Sequence, residues 1–123
     1  MDEAFKSALK EAGADVETTV RRFMGNEAMY EKFLKKLLDN PNFDNLKVNM
    51  ADKDYEEAYR NAHTLKGVAA NLGLDPVQKT TSDLVEELRN KKNEEVDVAR
   101  AEAAWGTLQE VYQRFYDIIS ANK

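Results

Sequence analysis

The stretch from Asn61 to Leu74 reads NAHTLKGVAANLGL, and the way it folds decides what surrounds it. It holds the only histidine of the chain, His63, with Gly67 four residues on, inside a segment whose other residues favour helix. Extended back to Tyr55, the apolar positions Tyr55, Ala58, Ala62, Leu65, Ala69 and Leu72 recur at three- and four-residue spacings, the mark of one buried helical face. At about 100° per residue, His63 lies roughly 130° from the centre of that face, so its imidazole is expected to point to solvent. Lys66 and Gly67 are its neighbours one turn on, Ala70 lies two turns on, and Tyr59 one turn back. Glycine inside a helix costs about 1 kcal/mol relative to alanine, so Gly67 weakens its own helix unless the missing bulk is useful. Here it would open room over the ring for another protein's loop, or for a phosphoryl group.

Outward from this helix the pattern is helical throughout, with no alternating strand signal. Phe5, Ala8, Leu9 and Ala12 mark a short first helix stopped by Gly13. Asp15 can cap a second, with Val16, Val20 and Phe23, ending near Gly25. Asn26 opens a third whose Tyr30, Phe33, Leu34, Leu37 and Leu38 form one apolar stripe, stopped at Asn40-Pro41. Residues 42–51 read as a connector with a helical turn around Leu46 and Met50. Asp52 or Asp54 starts the histidine helix and Gly73 caps its end. Asp75-Pro76 reads as a capping acid followed by proline at the first helical position, and Val77, Leu84 and Leu88 carry that helix's buried side. After the polar break RNKKN at 89–93, a long final helix runs from about Glu94 to Ser120 with Ala104, Leu108, Val111, Phe115 and Ile118 inward. The expected fold is all-α, an antiparallel up-and-down four-helix bundle over about residues 27–121, with short extra helices within residues 2–24 at one end.

Composition bounds the function. A chain of 123 residues suits one domain spanning 1–123. The net charge of -5 and the lack of a basic cluster argue against a nucleic-acid partner. Without cysteine there is no thiol nucleophile and no zinc-thiolate site. No apolar run approaches the roughly 20 residues of a membrane span, and MDEAFKSALK lacks a signal-peptide pattern, so a cytoplasmic location is expected.

His63-Thr64-Leu65-Lys66-Gly67, with Gly73 and Leu74 following, resembles the signature of the histidine-containing phosphotransfer (HPt) domain family. The likeness extends over most of the chain, from RRFMGNEAMYEKFLKKLL through the amphipathic helix after the motif to the long last helix. It implies a helical bundle that accepts a phosphoryl group on His63 from the aspartate of one receiver domain and passes it to another. The partners implied are response-regulator receivers or a hybrid histidine kinase; the chain itself would need no kinase activity, cofactor or metal, since magnesium comes with the receiver. The residue chemistry agrees. Histidine's ordinary pKa of about 6.5 leaves an exposed imidazole mostly neutral near pH 7, with a lone pair free to attack. Lys66 can balance the phosphoryl charge, Gly67 gives steric access, and Tyr59, Ala70 and Asn71 would border a receiver-docking surface. A bundle of this kind needs no partner helices, and a monomer is expected.

Two positions depart from the family. Many members hold the imidazole with a polar residue on the following helix, and Val85 occupies that register; Gln78, Ser82 and Glu86 are nearby substitutes. Val68 stands where a small hydroxyl residue is common. Each chosen residue also has a plainer explanation: a lone histidine is usually just surface, Lys66 a solvated charge, Gly67 a site of close helix packing, Gly73 a cap. Tyr112, Phe115 and Tyr116 read as core and core rim, and the paired charges at Glu56, Glu86, Lys35 and Lys91 as solvated faces. Among rival functions, a sensor-kinase fragment would carry a histidine followed by an acidic residue and a proline one turn later, and would need an ATP lid. Here His63 is followed by Thr-Leu-Lys-Gly, and no glycine-rich lid is present. A hydrolase finds no support in a sequence with one histidine, no cysteine and no Ser/His/Asp constellation. A docking module that binds receivers without phosphotransfer remains, and differs only if His63 is chemically idle.

Overall fold

The computed structural model describes residues 1–123 as seven α-helices and two short 3-10 turns, without strands. They are α1 (Glu3–Glu11), α2 (Val16–Arg22), α3 (Glu27–Lys36), α4 (Pro41–Ala51), α5 (Tyr55–Asn71), α6 (Asp75–Leu88) and α7 (Val98–Ser120). Most start on a side-chain cap: Asp2, Asp15, Asn26, Asn40, Asp54 and Asp97 each accept a hydrogen bond from a backbone N–H of the first turn.

α5 packs most extensively against α6 and α4, and α6 against α7. Neighbours run in opposite directions. Arg89, just past the end of α6, reaches Tyr59 near the start of α5, and Arg100 in the first turn of α7 pairs with Glu87 in the last turn of α6. Phe43 of α4 closes the ring of helices, stacking on Tyr112 of α7 with centroids 3.8 Å apart and planes 1° from parallel. α4 is also tied to α5 by amides, Asn61 donating to Asn49 at 2.7 Å and accepting from Asn42 at 3.3 Å.

Three expectations need correcting. Residues 41–51 are a helix, not a connector, and α4 rather than α3 is the first helix of the bundle. The Asn40-Pro41 pair that stops α3 also starts α4, because proline is harmless at a helix's first position, where its missing N–H would be unpaired anyway. Asp75 is not the cap of α6 but its first residue. Leu74 occupies the cap position, held there because its N–H closes the end of α5 on the Ala69 carbonyl at 3.0 Å. The last helix begins at Val98 behind Asp97, later than Glu94.

One continuous core takes side chains from every helix. The inward face of α5 is as expected, with Tyr55, Ala58, Ala62, Leu65, Ala69 and Leu72 all buried; its alanines let α4 and α6 approach closely. On α7 the buried stripe is rotated by about one residue, to Ala101, Trp105, Leu108, Tyr112, Phe115 and Ile119, leaving Ala104, Val111 and Ile118 half-buried. The two large aromatic rings set the direction, because Trp105 and Tyr112 have more area to bury than alanine and valine.

The N-terminal helices lock onto the turn after α5. Gly73 has φ +68°, and its carbonyl accepts from the Asp15 N–H at 2.9 Å. A Cβ at Gly73 would collide with the Thr19 hydroxyl and stand 2.9 Å from the Asp15 carbonyl oxygen. Gly73 is therefore more than a cap: it lets α2 cross the α5–α6 turn at backbone contact. From the other side the buried Tyr30 hydroxyl of α3 donates to the Leu72 carbonyl at 2.8 Å.

Candidate functional site: the outer face of α5

With its inward face sunk in the core, α5 presents His63 to solvent, as the periodicity requires. Helical side chains lean toward the N-terminus of their own helix, so the imidazole lies over the turn that carries Tyr59. The two rings are 5.8 Å apart and tilted by 44°. Tyr59 is half-buried and braced from α6: its hydroxyl accepts from Arg89 Nη1 at 3.3 Å, and the guanidinium carbon lies 5.8 Å from the ring centroid. Arg89 Nε in turn donates to Glu86 Oε1 at 3.0 Å.

The other flank of His63 is open. A Cβ at Gly67 would meet nothing within 4 Å, so close helix packing does not explain this glycine. Lys66 is half-buried and joins none of the ion pairs of the fold. Its ammonium, one turn from His63, is uncommitted. Thr64 turns its hydroxyl onto its own helix, donating to the Arg60 carbonyl at 3.1 Å.

The α6 residues considered as holders of the imidazole do not hold it. Val85 is fully buried, Gln78 and Ser82 are half-buried without touching the ring through a hydrogen bond, and Glu86 is engaged by Arg89. The side chain that does meet the imidazole is Tyr59.

Ala70 and Asn71 lie further along the same face, where α5 meets α2 and α3. Ala70 is half-buried, and its carbonyl accepts from Arg22 Nη2 at 3.1 Å. Asn71 is exposed and borders a cleft formed with Arg22, Phe23, Phe33 and Leu72. Phe33 was expected in the core with its neighbours; instead it is partly exposed, as is Met29 one turn back, and Met24 in the preceding turn is 92% exposed. Tyr30, Leu34 and Leu37 fill the inward side of α3, and Phe33 and Met29 share the side left over. Phe33 and Met29 make an apolar patch at the end of the His63 face, edged by Lys36, whose ammonium stands 4.7 Å from the Phe33 centroid. The spacing of Met29 and Phe33 was visible beforehand; an apolar stripe too wide for one buried face was the signal for it.

No helix is long and apolar enough to cross a membrane. No curated protein and no solved structure matches this chain significantly. A sequence model of the Hpt domain does match, over residues 27–117, a span that begins at the first residue of α3 and ends three residues short of the end of α7. With that match covering well over half its length, the chain belongs to the Hpt domain family.

Proposed function

We propose that His63 is the phosphoacceptor of a two-component phosphorelay, taking a phosphoryl group from a receiver-domain aspartate and delivering it to another. Hpt domains serve phosphotransfer in two-component signalling, and this chain is one of them. The observation that supports His63 as the residue is its place on α5: exposed, with open space over Gly67 and the uncommitted Lys66 beside it. In the forward step the lone pair of a ring nitrogen attacks phosphorus and an N–P bond forms. The P–O bond to the donor carboxylate breaks, and the carboxylate leaves with the bonding pair. The return step reverses this on a second receiver. Lys66 offsets the charge gathered on the phosphoryl oxygens, and no general base is required of this chain.

The receiver's surface would rest on the same face, over Gly67, Ala70 and Asn71 and onto the apolar patch of Met29 and Phe33. Tyr59 stands at the opposite edge. The chain has no kinase activity of its own in this reading, acts as a monomer, and works with receivers or a hybrid kinase in the cytoplasm.

The test is label transfer from a phosphorylated receiver with magnesium present, comparing wild type with His63→Gln. Acid-labile label on the wild type and none on the variant is the expected result, with no label from ATP alone. Receivers that bind but never transfer would instead favour a docking module in which His63 is idle.

A further inference from the structure

Resting on the phosphoacceptor reading of His63, we propose that Tyr59 is the positioning residue of the nucleophile, held in place by a Glu86–Arg89 brace from α6. A ring that must attack in line needs its rotamer fixed, because a misdirected lone pair loses rate even when the partner is correctly bound. A hydrogen bond to the second ring nitrogen is one way to fix it. α6 provides none: Val85 is apolar and buried, and Glu86 is turned to Arg89. What the imidazole has is a wall.

The wall is built in three steps. His63 leans toward Tyr59 because helical Cα–Cβ bonds tilt toward the N-terminus, and the rings meet at 5.8 Å and 44°. Tyr59 cannot swing away freely, since it is half-buried, its hydroxyl accepts from Arg89 and the guanidinium lies near its face. Arg89 is fixed by Glu86 one turn earlier on α6. The imidazole is thus closed on the Tyr59 side and open on the Gly67 side, where a Cβ would meet nothing. This asymmetry favours approach of a phosphoryl group from the Gly67 side. Tyr59 is accordingly assigned to orientation of the ring rather than to adhesion of the partner.

The two roles separate kinetically. Single-turnover phosphorylation is measured with a phosphorylated receiver over a range of concentrations, and separately with phosphoramidate, a small donor that needs no docking surface. From phosphoramidate, the phosphorus–nitrogen bond breaks, the His63 N–P bond forms, and the nitrogen leaves as ammonia after protonation. Tyr59→Ala is expected to lower the maximal rate about tenfold with both donors while the half-saturating receiver concentration stays within about twofold. Tyr59→Phe, which keeps the ring, should restore most of the rate, and Arg89→Gln should fall between. In NMR spectra the ring-current shift of the His63 ring protons should disappear in Tyr59→Ala and persist in Tyr59→Phe, a readout that altered stability alone would not move. An unchanged maximal rate in Tyr59→Ala, or a loss confined to half-saturation, overturns the proposal; so does equal slowing by Phe and Ala. If the wild type itself takes no phosphoryl from either donor, the phosphoacceptor reading fails first and the inference falls with it.

Discussion

At the residue scale, Gly67 separates stability from function in a single side chain. Its Cβ position is empty space on an exposed helical surface, so Gly67→Ala should stabilise the fold by about 0.5–1 kcal/mol, measured by urea denaturation. The same substitution places a methyl group on the open flank of His63 and should slow phosphoryl transfer; Gly67→Leu should slow it further while remaining folded. A glycine whose replacement strengthened the helix and left transfer untouched would have no role in access. His63 and Gly67 were legible in the sequence because helical periodicity alone fixes which way they face. The partners of Tyr59 were not, because Arg89 lies 30 residues away in what reads as a polar break, and only the antiparallel packing of α5 and α6 brings them together.

At the element scale, the turn between α5 and α6 carries more than its composition suggests. Gly73 there combines a left-handed backbone with contact to α2, and the two costs of a side chain add. Gly73→Ala should therefore destabilise the protein by about 3 kcal/mol, combining the left-handed penalty with overpacking, and thermal melts should show the loss. Gly25, also at positive φ but with open space at its Cβ position, should lose only the backbone share. Helix ends were largely readable, since Asp15, Asn26 and Asp54 cap where a small polar residue precedes an apolar run. α4 was not. Its Phe43, Leu46 and Met50 keep helical spacing, but proline at its first position sends the same signal for an end and for a beginning.

For the whole molecule, two phenols tie the bundle together across its seams. Tyr30 donates to the Leu72 carbonyl, and Tyr112 to the Leu37 carbonyl at 3.1 Å. Burial pushes both hydroxyls well above the ordinary tyrosine value near 10. Below that value both are protonated in the folded and unfolded chain, and the stability they confer is complete. Above it the unfolded chain sheds phenolic protons that the folded chain retains, so stability must fall as pH rises from about 10 upward. Urea midpoints taken at pH 9 and pH 11 should show this fall, with a shallower slope in the Tyr30→Phe, Tyr112→Phe double variant. Acidic and basic side chains contribute less, because their pairs, such as Lys10 with Glu17, lie at the solvent boundary.

The closing of the bundle between α4 and α7 has a spectroscopic side. The single tryptophan, Trp105, is only 6% exposed and sits 5.4 Å from Phe43 at this seam, on the helix diagonal to the one that bears His63. Its indole is a resident fluorophore in a dry setting, emitting to the blue while the seam is shut and shifting red when water enters. Placed on α7, it reports whether the scaffold is intact and is silent about what rests on α5. The same sample in the same cuvette can therefore distinguish a variant that has lost transfer from one that has lost its fold.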